Sequence, residues 1–318
     1  MLKKLSLVVI LVSGMVVASL GRVAADGVRA ATFLKYGVGA RATGMSDAFI
    51  AVADDATAAY WNPAGLAQLS SREFTGMYSD LGLDQQFNFM NYAHPLGQGA
   101  VGVSWVNSGI KDYDVRRGES KDPIAIGDIG NNMFILSYGR NLGPKLSVGI
   151  SGKFLAEKMD DVDGEEKSAD GIGWDVGVLA NPIERFSLGV VLADLGISKL
   201  EWDSGWKEKV PMKLKAGLAY RPLKKEDLLM AASFVRNFDE DITRLDMGTE
   251  YKILADLALR AGVSLNRVDE KTNTEFAAGI GYNLVLSPTF EVGLDYSYDN
   301  VDNDVSDDGH RVSLTVRF

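Results

Sequence analysis

From about residue 72 onward, apolar and polar positions alternate at period two in one segment after another, the mark of strands with one dry and one wet face. Near the end of the chain Phe276, Ala278, Ile280 and Tyr282 share a face, followed by Phe290, Val292, Leu294 and Tyr296, then Val312, Leu314, Val316 and Phe318. The opposite face takes Glu275, Gly279, Glu291, Asp295, Ser313, Thr315 and Arg317. Leu257, Leu259, Ala261, Val263 and Leu265 repeat the pattern against Arg260, Ser264 and Asn266. The pattern predicts fourteen strands, near 72–80, 86–96, 98–107, 131–141, 145–158, 170–182, 186–195, 211–221, 226–236, 243–252, 257–266, 273–283, 288–298 and 309–318.

The gaps between these segments alternate in length. Those around Leu96-Gly97, 142–144, 183–185, 223–225, 253–255 and 284–287 are tight, whereas 108–130, 159–169, 196–210 and 299–308 are long. All the long gaps therefore fall at one end of the ladder. A soluble sheet has no reason for that segregation, but an outer-membrane barrel has short periplasmic turns, long outer loops and an even strand count. In lipid the backbone must satisfy its own hydrogen bonds, so spanning sheets close on themselves. The expected fold is all-β: a transmembrane antiparallel β-barrel of about fourteen strands over residues 71–318.

Tyr138, Tyr220, Tyr251 and Tyr282 each stand on the apolar face a few residues before a short turn, and Tyr92 has a similar offset. Amphipathic rings collect at the headgroup level, so these tyrosines predict a membrane-interface girdle on the periplasmic side. At the amino terminus, Lys3 and Lys4 precede an apolar run from Leu5 to Leu20 and the small residues Val23-Ala24-Ala25. That layout predicts a secretory signal peptide over residues 1–25 and an integral location in a Gram-negative outer membrane.

Composition narrows the function. The chain of 318 residues carries a net charge of -10, which argues against nucleic acid as a partner. It has no cysteine and two histidines, which leaves no thiolate chemistry and little for a metal, and no cofactor is expected. Asp160, Asp161, Asp163, Glu165 and Glu166 crowd one long gap, and Asp299, Asp302, Asp304, Asp307 and Asp308 another. The second run lacks the sixth-position glycine and later glutamate of a calcium loop, so solvated acidic loops are expected rather than cation sites. His310 beside Asp307 and Asp308 offers an outer-membrane hydrolase as an alternative, through general-base chemistry. No Gly-x-Ser-x-Gly nucleophile motif accompanies it, and the chain is expected not to be an enzyme.

Residues 26–70 stand apart from the ladder. Ser46 or Asp47 can cap a short helix carrying Phe49, Val52, Ala53, Ala56 and Tyr60 at helical spacing, and Pro63 forces Asn62 out of helical geometry. Fourteen strands enclose more space than their own side chains fill, so a segment of small residues is expected inside as a plug or hatch. On the polar face, Glu291 with Arg317 and Glu250 with Arg260 fall opposite one another and should pin the strand register.

At these residues the chain resembles a family. The run Ala53-Asp54-Asp55-Ala56, leading to Tyr60-Trp61-Asn62-Pro63-Ala64-Gly65-Leu66-Ala67, resembles the plug signature of FadL-like outer-membrane proteins. The preceding Gly39-Ala40-Arg41-Ala42-Thr43-Gly44-Met45-Ser46-Asp47-Ala48-Phe49 and the modest length are most similar to the PorV/PorQ branch. The resemblance implies a hatch in which Asp54, Asp55, Asn62, Pro63, Ala64 and Gly65 act structurally or in gating. It also implies one of two roles: passage of hydrophobic small molecules, or type IX secretion-linked handling of an exported cargo protein. A structural surface protein without transport is the remaining alternative. The long gaps 108–130 and 196–210 offer only Ile124, Ile126, Trp202, Trp206 and a few neighbours as an apolar capture surface.

The final segment alternates cleanly and ends on Phe318, which resembles the terminal signal read by barrel-assembly machinery. Deleting Phe318 should therefore reduce the membrane yield of heat-modifiable barrel far more than deleting Asp307 and Asp308, and equal yields would contradict this.

Overall fold

The computed structural model describes residues 32–81, 85–115, 123–160, 165–196, 200–203, 205, 207–208, 210–223, 227–238, 242–268, 271–300 and 308–318. The expected signal peptide, residues 26–31, Trp206 and the acidic residues Asp161, Asp163, Asp302, Asp304 and Asp307 lie outside the described residues.

Fourteen strands form the wall. They are β1 Glu73–Asp80, β2 Gln85–Leu96, β3 Gly99–Val115, β4 Ala125–Gly143, β5 Leu146–Asp160, β6 Glu166–Ile183 and β7 Phe186–Leu195, then β8 Lys213–Tyr220, β9 Leu228–Asn237, β10 Ile242–Lys252, β11 Leu257–Val268, β12 Lys271–Ser287, β13 Phe290–Asp299 and β14 Gly309–Arg317. Each pairs antiparallel with its chain neighbours, and β1 pairs with β14 from Glu73 opposite Arg317 to Asp80 opposite His310. Phe318 extends that seam, exchanging backbone hydrogen bonds with Arg72 at 3.0 Å in both directions. The sheet has no edge, as lipid requires.

The faces are inverted relative to a soluble protein. On β14, Arg311, Ser313 and Thr315 are buried inside while Val312 and Leu314 are exposed to the outside. The same holds for buried Arg260 and Ser264 against exposed Leu259 on β11.

Where the alternation fades, the strands continue. The expected loop 108–130 is mostly strand, with Ser108 opposite Asn131, Gly109 opposite Gly130 and Asp114 opposite Ile126. The expected loop 159–169 shrinks in the same way, because Met159 and Asp160 pair with Lys167 and Glu166. Ladder hydrogen bonds need no apolar face, so the polarity pattern marks only the lipid-embedded part of each strand. Between β7 and β8, a short hairpin of Leu200–Trp202 and Lys207–Glu208 lies against β6.

Residues 32–69 fill the interior. They comprise two 3-10 turns, Thr32–Lys35 and Pro63–Gln68, and two single-turn helices, α1 Ala40–Thr43 and α2 Ala58–Trp61. The helix expected through Phe49 and Tyr60 does not form there. Ser46, Asp47 and Ala53 have φ of 49°, 64° and 30°, and the carbonyls a helix would use are claimed by side chains instead. Asn62 Nδ2 donates to Ile50 O at 3.0 Å, and Gln68 Nε2 donates to Val52 O and Ala53 O at 3.1 Å. Docking overrides a marginal helical propensity. The break at Asn62 is as expected, with φ -157° and Pro63 opening the next turn.

The plug rests on inward-facing glycines. Gly139, Gly149 and Gly177 are paired across β4, β5 and β6, and Gly189 with Gly217 and Gly248 with Gly262 continue the track around the wall. A side-chain carbon on Gly149 would overlap the backbone of Pro63 and Ala64, one on Gly177 the Asn62 amide, and one on Gly262 the backbone of Met45 and Ser46. Glycine in a strand interior marks close backbone approach, and here it recurs strand after strand.

The interior position of the plug has a direct test. Thr43 Oγ1 lies 2.7 Å from Ser297 Oγ, a separation two sulfurs can bridge. Oxidising a Thr43→Cys/Ser297→Cys double variant should give a crosslinked, gel-shifted species. An Ala56→Cys/Ser264→Cys pair should give none, because the Ala56 amide binds Glu73 while Ser264 binds Asp246. The reverse outcome would place the plug elsewhere.

Candidate functional site

Two features meet inside the barrel: a belt of charge at the short-turn end and a cavity at the long-loop end. Arg41, the penultimate residue but one of α1, is the hub of the belt. Its Nε and Nη2 donate to the two Glu250 oxygens at 2.9 and 3.0 Å, and its Nη1 donates to Asp54 at 2.6 Å and Asp55 at 3.0 Å. Arg221 holds the other oxygen of Asp54 at 2.9 Å. Arg260 bridges Glu250 and Asp295, each at 2.7 Å. Burial opposes the Arg41 charge, but Asp54 and Glu250, with Asp55, outweigh it and hold the guanidinium well above its ordinary pKa. The belt ties two segments of the plug, at Arg41 and at Asp54-Asp55, to β10, to Arg221 just after β8 and, through Arg260, to β13.

Glu73 extends the belt toward the seam. It accepts from Arg317 Nε and from the Ala56 amide, both at 2.9 Å, and Arg317 also lies 3.4 Å from Glu291. The expected pairs Glu250 with Arg260 and Glu291 with Arg317 are therefore formed. Arg41, Arg221 and Glu73 were not legible as their partners, since alternation locates a face and not what docks on it.

The motif residues assemble around the glycine seat. Asp55 Oδ1 accepts from the Thr57 amide at 3.0 Å, and Asn62 Oδ1 from Ala64 N at 3.2 Å. Asn62 Nδ2 also reaches Val178 O of β6 at 3.1 Å, which fixes the turn to the wall. Pro63, Ala64 and Gly65 are buried.

A second charged cluster was missed. Lys153 binds Asp175 at 2.7 Å and Asp194 at 2.8 Å, and Lys213 lies 3.1 Å from Asp194. Strict alternation would turn Asp194 to the lipid. The register instead slips between Trp174–Leu195 and Val176–Leu192, and at φ 62° the extra residue carries Asp194 inward.

Above the plug, a cavity of about 400 Å³ opens toward the long-loop end. Its floor is Leu34, Tyr36, Ile50, Tyr60 and Trp61 of the plug, and Lys213, Lys215, Val235 and Ile242 stand in its wall. The polar tips of the aromatics are engaged elsewhere. Tyr60 Oη donates to Tyr36 O at 2.8 Å and Trp61 Nε1 to Val38 O at 3.0 Å. Burial, only partly countered by Lys153, pushes the Tyr60 phenol well above its ordinary pKa, so it remains a donor. The ring faces are thus left to the cavity, with Tyr60 and Trp61 edge to face at 5.4 Å and the Lys215 ammonium 5.6 Å from the Tyr60 ring.

The surface residues fall elsewhere. Tyr138, Tyr220, Tyr251 and Tyr282 are exposed on the outer face near the short turns. Trp202 is partly buried against the core, whereas Ile124 and Ile126 are exposed. The His310 and Asp308 pairing considered for a hydrolase does not form. His310 faces outward with Nδ1 2.8 Å from Tyr296 Oη, and Asp308 accepts from Tyr298 Oη at 2.6 Å. Antiparallel pairing with β13 places these tyrosines beside His310, and they take up both partners. Among the described residues no cluster of histidine and carboxylate ligands could hold a metal.

The Outer membrane protein beta-barrel domain family matches residues 64–318. The chain belongs to that family of outer-membrane barrels. Its location is therefore the outer membrane, as an integral protein. The search of curated proteins matched none. Among solved structures, this outer-membrane barrel is similar to the CymD monoaromatic hydrocarbon channel, with a TM-score of 0.70 at 14% identity over 88% of this chain and 97% of that one. The Pseudomonas putida toluene transporter TodX gives a TM-score of 0.62 at 14% identity over 88% and 98%. A Pseudomonas aeruginosa FadL homologue gives 0.61 at 13% identity over 87% and 97%. These similarities establish a FadL-like barrel fold; they carry no substrate.

Removing the hub has a predicted cost. Arg41→Ala leaves Glu250, Asp54 and Asp55 facing one another without their shared cation, and breaking a buried pair by deleting one partner costs roughly 3–5 kcal/mol. Urea unfolding in detergent should show a destabilisation of that order for Arg41→Ala and a clearly smaller one for Arg41→Ala/Glu250→Gln. Additive losses would remove Arg41 from its hub role.

Proposed function

We propose that this outer-membrane barrel passes hydrophobic small molecules inward, receiving them in the aromatic-floored cavity above the plug. The observation that carries the reading is the cavity's composition and place: Ile50, Tyr60, Trp61, Val235 and Ile242 meet at the mouth side of a plug that closes the lumen below. Charged and amide side chains, among them Asp47, Lys213, Lys215, Arg244 and Asp246, line the rest of the pocket, and its apolar face of Leu34, Ile50, Tyr60, Trp61, Val235 and Ile242 suits a small aromatic or aliphatic molecule. The names of CymD, a monoaromatic hydrocarbon channel, and TodX, a toluene transporter, agree with that choice. In this reading residues 26–70 are the hatch, and Asp54, Asp55 and the Asn62-Pro63-Ala64-Gly65 turn hold it shut. Tyr138, Tyr220, Tyr251 and Tyr282 anchor the wall at the inner lipid headgroups. Phe318 serves recognition by the assembly machinery, and the chain performs no catalysis.

A second reading is carried by the plug motif, whose resemblance to PorV/PorQ proteins points to handling of an exported cargo in type IX secretion. Native mass spectrometry of the detergent-released barrel separates the two: a stoichiometric exported protein or secretion subunit supports cargo handling, and bound hydrocarbon supports passage.

Toluene binding measured by saturation-transfer NMR tests the first reading. The wild-type protein should bind, and Val235→Trp, which fills the cavity from the wall without touching the glycine seat, should weaken binding at least about tenfold, or roughly 1.4 kcal/mol. Equal binding by both proteins, or none by either, would contradict it.

A further inference from the structure

The outward face of β2 to β5 changes chemistry within two steps of the ladder. One row, Met90, Trp105, Phe134 and Phe154, is paired side by side and turned to the lipid. The next row outward is Asn88, Asn107 and Asn132, also directly paired. These amides form a ladder: Asn88 Nδ2 donates to Asn107 Oδ1 at 3.4 Å, and Asn107 Nδ2 to Asn132 Oδ1 at 3.2 Å. Trp105 Nε1 donates to the same Asn132 oxygen at 3.1 Å, pinning the indole where apolar wall meets amide ladder. Tryptophan at such a boundary marks the headgroup level. The lipid-facing wall therefore ends here, at the outer leaflet.

Immediately above lies a groove of about 560 Å³, lined by Gln86, Asn107, Lys111, Asp128, Lys158 and Asp160 among others. Its floor is the pair Gly109 and Gly130, and a side-chain carbon on Gly130 would meet nothing within 4 Å. The floor is low because two successive cross-strand positions lack side chains. The rim is ordered by backbone contacts, with the Asp112 amide donating to Asp128 at 3.0 Å and the Asp128 amide to Asp160 at 2.8 Å. Lys158 closes one side on Glu166 at 2.7 Å.

We infer that this groove binds the sugar portion of an outer-leaflet glycolipid, with the acyl chains lying on the Met90, Trp105 and Phe134 row below. Position supplies the lipid: the groove opens on the outside of the barrel, its glycine floor two rows above the apolar wall. Chemistry selects the sugar over a phosphate. The carboxylates Asp112, Asp128, Asp160 and Glu166 outnumber Lys111 and Lys158, which repels a phosphate. Carboxylates accept and amides both donate and accept, a combination that matches hydroxyl groups. The site is separate from the lumen and independent of what the cavity carries.

The test is native mass spectrometry of the purified barrel in EDTA, offered a glycolipid with a neutral, phosphate-free oligosaccharide core, the deacylated core alone, or phosphatidylglycerol. The glycolipid should form a one-to-one adduct that the deacylated core displaces, while phosphatidylglycerol forms none. Gly130→Phe, which fills the groove, and Asn107→Val, which removes the central amide, should each lower adduct occupancy at least about tenfold while keeping the heat-modifiable gel mobility of the folded barrel; that factor corresponds to roughly 1.4 kcal/mol. Loss of the adduct in EDTA would replace sugar recognition by a cation bridge and overturn the assignment. So would equal retention of phosphatidylglycerol, failure of the core to compete, or adducts unchanged in both folded variants.

Discussion

The structure depends on the close approach of two backbones: the plug chain and the inner face of the wall. A fourteen-strand barrel encloses more volume than its own side chains fill, so an interior segment has room, but only if the wall leaves space where that segment crosses it. The paired glycines at 139, 149 and 177, at 189 and 217, and at 248 and 262 leave that space. The same contact explains the irregular plug. Between its short turns, carbonyls and amides are satisfied by side chains of Asn62, Gln68, Glu73 and Ser233, the last two from the wall, so its shape follows the wall. Buried backbone polar groups need such partners wherever they lie.

The charges build on that seat. Arg41 sits where α1 meets the wall, and Asp54, Asp55 and Glu250 converge on it because the glycine contacts have brought the plug into range. The belt of paired charges lies toward the short-turn end, while Tyr60 and Trp61 floor the cavity at the long-loop end. In the proposed passage, an apolar molecule entering from outside meets a compatible surface first and a charged barrier second. On that proposal the plug must move, and the Arg41 hub holds it.

Most of the wall could be read from the chain, because lipid outside imposes period two along the embedded part of each strand. The places where that reading stopped have physical causes. Residues 108–115 and 125–130 are strand with polar residues on both faces, so pattern alone made them a loop. Asp194 turns inward through a bulge, which alternation cannot encode. The belt was half legible: Glu250 with Arg260 and Glu291 with Arg317 follow from register, but Arg41 and Glu73 depend on docking between segments far apart in sequence. The helical spacing through Phe49 and Tyr60 is real in the sequence and unused in the fold. The floor of the cavity could not be foreseen, since Tyr60 and Trp61 were visible as motif residues without a direction.

The central claim is that the plug closes the lumen by resting on the glycine track. Ionic current through the purified protein in planar bilayers measures this most directly, comparing the wild type with Gly262→Val, whose side chain would occupy the position of the Met45 and Ser46 backbone. The account predicts a wild type with little ion conductance and a variant with discrete, larger open steps. A wild type that conducts as freely as an unplugged barrel, or a folded Gly262→Val protein that stays closed, would contradict it.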